Sequence, residues 1–96
     1  MIPVYLCDDE AAVNALLEKL VGDQVMIMGR DMGPVKTAYD PISLLEMQKE
    51  GEVPAIYFLD IDFPGYMSGL ELAVKLRQYD PRGFIVFITA HDDMMF

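Results

Sequence analysis

Short apolar runs alternate along this chain with stretches whose apolar residues recur at helical spacing. Val4–Cys7 is a continuous apolar run that stops at Asp8-Asp9-Glu10, the pattern of a buried strand ending in a loop. From Ala11 onward, Val13, Leu16, Leu17, Leu20 and Val21 fall at helical spacing and predict a helix continuing to about Met28. Gly29–Pro34 reads as a loop and Val35–Tyr39 as the second strand. Asp40-Pro41 is a helix start, with Asp40 as N-cap and Pro41 at the first helical position. That helix carries Ile42, Leu44, Leu45 and Met47 and closes at Gly51 and Pro54. Ala55–Leu59 is a third buried strand, followed by Asp60-Ile61-Asp62 and a loop with Pro64, Gly65 and Gly69. Leu70, Leu72, Ala73, Leu76 and Tyr79 predict a third helix, with Asp80-Pro81 and Gly83 as its exit. Phe84–Ile88, β-branched and aromatic throughout, is a fourth strand ending at Thr89, and Met94-Met95-Phe96 begins another helix.

A βαβαβαβ alternation with strands apolar throughout predicts an α/β fold, a parallel sheet covered by helices on both faces. Right-handed crossovers make the doubly wound topology the default. Ligands of such sheets bind outside the carboxyl ends of the strands, where the strand order reverses.

Composition narrows the function. The chain has 96 residues, room for a single domain over 1–96, and is 53% hydrophobic and 24% charged, which excludes a disordered or low-complexity chain. Sixteen acids against seven bases give a net charge of −9. Such a field repels phosphate backbones and anionic lipid, so neither a nucleic acid nor a membrane is expected as partner of this chain alone. The lone cysteine, Cys7, permits no internal disulfide and no cysteine-based zinc site. Neither a signal peptide nor an apolar run near the ~20 residues of a membrane helix is present, so a cytoplasmic location is expected.

Polar residues with chemical potential stand at the strand ends: Asp8 and Asp9 after the first, Asp60 after the third, Thr89 after the fourth. In a 2-1-3-4 order the first and third strands are neighbours, so these carboxylates converge on one rim. Like charges that close need neutralising. An all-oxygen acidic pocket suits Mg²⁺. A carboxylate beside such a metal can attack a phosphoryl group in line. Asp60 is the best placed nucleophile, and Thr89 has a hydroxyl to donate to a phosphoryl oxygen.

The segments LCDDE, YFLDIDFPGYMSGLELAVKLR and FIVFITA resemble the receiver domains of bacterial two-component response regulators, over the whole chain. The resemblance implies a flavodoxin-like fold with strand order 2-1-3-4-5. It assigns Asp8 and Asp9 to the acidic metal pair, Asp60 to the phosphoacceptor, Asp62 to a metal-binding backbone carbonyl and Thr89 to the phosphoryl-binding hydroxyl. Pro64 and Gly69 match the proline and glycine of the following loop. That loop is one residue longer than the common pattern, and with the ITAH ending it is similar to the Agr/Com-type regulators that carry a LytTR DNA-binding domain. The family's fifth strand, fifth helix, switch aromatic and site lysine have no counterpart, so a truncated receiver without its output domain is expected. The implied function is to take a phosphoryl group from a sensor histidine kinase and control an output, transcription in the full-length protein, with no enzymatic turnover beyond Mg²⁺-assisted self-phosphorylation and dephosphorylation.

Two other readings fit parts of the chain. Asp60-Ile61-Asp62 after an apolar strand also resembles the DxD motif of haloacid-dehalogenase-type phosphatases, with Asp60 as nucleophile, Asp62 as acid/base and Thr89 as second hydroxyl; it leaves Asp8-Asp9 unexplained. A phosphorylation-incompetent receiver-like binding module is the third. An exposed, apolar fourth strand would offer an edge for homodimerisation or domain swapping.

Overall fold

The strands take the order β2-β1-β3-β4, all pairs parallel, in a computed structural model that describes residues 2–28, 32–65 and 67–88. The elements are β1 (Ile2–Cys7), α1 (Ala11–Met28), β2 (Met32–Ala38), α2 (Pro41–Glu50), β3 (Ile56–Leu59), α3 (Gly69–Tyr79) and β4 (Phe84–Phe87). This is the expected alternation. Thr89 and the helix start at Met94 lie outside the described residues.

One boundary differs in substance. The segment expected as a loop up to Pro34 belongs to β2, which begins at Met32. The pairing Ile2↔Met32 followed by Val4↔Val35 leaves one extra residue on β2, a bulge at Gly33-Pro34. Among the described residues β2 pairs only with β1, and an edge strand tolerates a proline that cannot donate to a ladder.

Alternation along β1 and β3 sorts the two faces of the sheet. Tyr5, Cys7, Tyr57 and Leu59 are fully buried with Leu44 of α2, Leu72 and Leu76 of α3, and Phe63. Each such side chain contributes about 1.5–3 kcal/mol of burial. The Tyr5 and Tyr57 rings stack with centroids 5.4 Å apart. Val4 and Leu6, buried on the opposite face, lie on the side of α1.

The helix caps follow the sequence logic. Asp40 caps α2, its carboxylate accepting from Ser43 N at 2.8 Å. Ser68 caps α3 and accepts from Glu71 N. At the exit of α3, the buried Asp80 carboxylate accepts from Ala55 N at 2.9 Å and from Tyr57 Oη at 2.8 Å, tying α3 to the start of β3. Gln48 Nε2 donates to Tyr57 Oη and to Leu76 O, closing the network across α2.

The apolar stripe of α1 is corrected by the structure. Leu16 and Leu20 are 58% and 53% exposed, whereas Asn14 is buried. Buried and half-buried seats run through Val13, Asn14, Leu17 and Val21, the phase of the face that meets β1 and β2. The fourth strand forms, but its side chains are not buried: Phe84 and Val86 are 66% and 42% exposed.

Candidate functional site

The site begins with the register. Cys7 pairs with Ala38 on one side and with Leu59 on the other, and Leu59 pairs with Phe87. The four carboxyl ends are therefore level, and the ladder runs one rung beyond the strands: Asp8 N donates to Ala38 O, Asp60 N to Cys7 O and Ile88 N to Leu59 O. Asp8 and Asp60 thus leave adjacent strands at the same height.

Asp8 and Asp60 are each 7% exposed, while Asp9 is exposed at the rim. One carboxylate oxygen from each of the three lies within 4.8 Å of the others. Glu10 N donates to Asp8 Oδ1 at 2.9 Å and so fixes that carboxylate against the start of α1. The Glu10 carbonyl accepts from Val13 N and Asn14 N, which starts the helix directly behind the acids.

The acids repel one another. The Asp8 carboxyl is pushed up to about 6 from an ordinary 3.8, first by burial, with Asp60 and Asp9 adding like charge and the Glu10 N–H partly offsetting both. Close carboxylates and all-oxygen donors, with no imidazole or thiolate among the described residues of the cluster, fit a small hard divalent cation of the Mg²⁺ class. Cys7, one residue before Asp8, is no ligand: its thiol is buried, donates to Asp40 O and is pushed up to about 12 by burial and then by Asp40, Asp8, Asp60 and Asp9.

The loop after Asp60 is held from several sides. Asp62 N donates to Asp60 Oδ1 at 3.4 Å, while the Asp62 side chain is exposed and stands outside the three-carboxylate cluster. Phe63 buries into the core beneath the loop, and Gly65 takes a left-handed φ of 81°, which favours glycine. Gly69 N donates to Ile61 O at 2.6 Å and brings α3 against the backbone of Asp60. A methyl group on Gly69 would strike the Asp60 carbonyl oxygen and stand 2.8 Å from Ile61 Cα. The glycine is required there by close approach.

The structure thus brings Asp8, Asp9 and Asp60 together and leaves Asp62 beside them through its backbone. Thr89 follows Ile88, whose N–H is on the ladder, but lies itself outside the described residues. Sequence reasoning missed Asn14, whose buried Nδ2 donates to the Asp8 carbonyl behind the acids. Its only signal was a polar residue in phase with Leu17 and Val21 on an otherwise apolar face.

Comparison with known proteins agrees with this arrangement. A family model described as response regulator receiver domain matches residues 4–96. The accessory gene regulator protein A of Staphylococcus epidermidis RP62A is 30% identical over 93 residues, and that of Staphylococcus aureus N315 is 26% identical over 93 residues. Each match covers 97% of this chain, which spans 39% of the length of these curated relatives. Among solved structures, the response regulator protein TrrA from Thermotoga maritima, in complex with Mg²⁺-BeF, superposes with a TM-score of 0.77 at 25% identity, covering 99% of this chain and 75% of that one. A response regulator receiver protein from Sinorhizobium medicae WSM419 also gives 0.77, at 26% identity, covering 97% of this chain and 69% of that one.

Proposed function

Since the chain belongs to the response regulator receiver domain family and has its flavodoxin-like fold, we propose that Asp60 is its phosphoacceptor and that residues 1–96 act as one receiver module. The observation that carries this is the convergence of three carboxylates at the ends of adjacent parallel strands. An Asp60 carboxylate oxygen attacks the phosphorus of a phosphodonor in line. The bond from phosphorus to the donor's nitrogen or oxygen breaks, and its electron pair leaves with the donor. Hydrolysis of the acyl phosphate later returns the carboxylate.

Asp8, Asp9 and Asp60, with the Asp62 backbone carbonyl, would hold Mg²⁺, which when bound neutralises the phosphoryl oxygens. Asp8 is fixed for this by the Glu10 N–H, and Asp60 by the packing of Gly69 against its backbone. The Thr89 hydroxyl would donate to a phosphoryl oxygen. In T. maritima TrrA the same fold is seen with Mg²⁺-BeF, which supports a metal and a phosphoryl-like group here. The role is signalling rather than substrate turnover: a sensor histidine kinase is the proposed donor, and transcription through a further domain is the proposed output of a whole regulator. Among the described residues no helix is long and apolar enough to cross a membrane, and a cytoplasmic site of action is part of the same reading.

Intact mass of the chain after incubation with acetyl phosphate tests the reading. One phosphoryl group gained with Mg²⁺, and none with EDTA or in Asp60→Asn, is the expected result; a folded wild-type chain that gains no mass contradicts it. Self-association through β4 is a separate proposal. Among the described residues β4 pairs only with β3, and its Phe84 and Val86 are exposed. A concentration-dependent rise in mass by light scattering is expected, and a strict monomer would contradict it.

A further inference from the structure

We propose that Asn14 is a positioning residue for the acidic site: its side-chain amide clasps the loop that carries Asp8 and Asp9, and the metal affinity of the site depends on that clasp. The inference rests on the reading of Asp8, Asp9 and Asp60 as a Mg²⁺ site. Asn14 lies one turn into α1 and is 1% exposed. Its Nδ2 donates to Asp8 O at 2.8 Å and to Ala38 O at 3.1 Å. One amide therefore joins the first residue beyond β1 to the last residue of β2, across the point where the acids leave the sheet.

The two acceptors fix the amide's orientation, since an oxygen in the place of Nδ2 would face two carbonyl oxygens. They also hold Asp8 from a second direction. Its carboxylate is held by Glu10 N and its backbone N–H by Ala38 O; the Asn14 bond adds the Asp8 carbonyl. With nitrogen, carbonyl and side chain each hydrogen-bonded, a swing of the Asp8 carboxylate away from Asp60 has to break at least one of these bonds.

Apolar packing alone does not call for a polar residue in this seat. The Asn14 Oδ1 is buried and has no hydrogen-bond partner among the described residues. An apolar side chain of similar volume would remove that orphaned acceptor but would leave the Asp8 carbonyl without its Asn14 donor, so what the residue supplies is the hold on Asp8. Residues that orient metal ligands from behind are a known source of affinity, and their loss typically weakens metal binding about 10–100-fold. Asn14 stands in that relation to Asp8.

The test is calorimetric titration of Mg²⁺ into the wild-type chain, Asn14→Leu, Asn14→Ser and Asn14→Gln, each first shown to be folded by circular dichroism at low temperature. Val13→Ala serves as a control that loosens the same helix without touching the clasp. The wild type binds; Asn14→Leu weakens Mg²⁺ binding about tenfold or more. Asn14→Ser keeps one donor and weakens it less, Asn14→Gln restores part of the loss, and Val13→Ala stays within about twofold. Should Asn14→Leu fail to fold, the Ser and Gln variants carry the comparison. Folded Asn14 variants with wild-type affinity overturn the clasp and leave the metal site standing. A wild-type chain that binds no Mg²⁺ overturns both.

Discussion

Replacing Asp8 by asparagine should make the metal-free protein more stable while removing its response to Mg²⁺. Asp8 is nearly buried, and its carboxyl is pushed from 3.8 up to about 6 by that burial and by Asp60 and Asp9. A carboxyl raised in the folded state binds its proton more tightly there than in the unfolded chain. It therefore favours folding below the unfolded value, near 3.8, and that contribution is lost as pH rises through about 6. At neutral pH the linkage ceiling is ~3 kcal/mol, and solvent at the open rim screens it to about 1–2 kcal/mol. Asparagine carries no charge, and its amide oxygen can still accept from Glu10 N. The Asp8→Asn chain in EDTA at about pH 7.5 should gain about 1–2 kcal/mol, a rise of roughly 5–15 °C in Tm for a domain of this size. Near pH 4.5 the gain should shrink to about a third of its full size. Urea denaturation followed by circular dichroism measures both, with a Mg²⁺ series beside them. Millimolar Mg²⁺ should stabilise the wild type and leave Asp8→Asn unmoved. A variant less stable than wild type in EDTA, or a gain independent of pH, would refute the reasoning.

Other consequences follow from neighbouring contacts. Gly69→Ala drives a methyl group into the Asp60 carbonyl and should cost about 2 kcal/mol or more by denaturant titration, with loss of acetyl phosphate labelling. Asp80→Ala orphans Ala55 N and the Tyr57 hydroxyl and should cost about 2–4 kcal/mol. Tyr57→Phe leaves Asp80 on Ala55 N and Gln48 on Leu76 O, so it should cost only about 1 kcal/mol. The Cys7 thiol, pushed up to about 12 and buried, should resist iodoacetamide in the native state at neutral pH and react on unfolding; fast native labelling would contradict its placement.

Much of the fold could be read from residue order because β1, β3 and β4 are apolar throughout and acids mark where β1 and β3 stop. Topology makes β1 and β3 parallel neighbours, and the register that pairs Cys7 with Leu59 then sets Asp8 and Asp60 level. The readings that failed depend on facts that periodicity does not carry. Gly33-Pro34 looks like a loop by composition, but an edge strand absorbs it as a bulge. On α1 the apolar residues outnumber the buried seats, so Leu16 and Leu20 appeared to belong to the core while Asn14 held the buried position. The Asp80–Tyr57–Gln48 network joins residues 9 to 28 positions apart and leaves no local signature. Asn14 is hidden in part for the same reason, since one of its two acceptors, Ala38 O, is 24 residues away.

The most direct test of the central claim is to locate the modification. The wild-type chain would be labelled with acetyl phosphate in Mg²⁺, reduced with borohydride to convert an aspartyl phosphate to homoserine, and mapped by peptide mass spectrometry. The expected result is conversion at Asp60 alone, absent from samples kept in EDTA. Conversion at Asp62 or at Asp8 with Asp60 untouched would contradict the account.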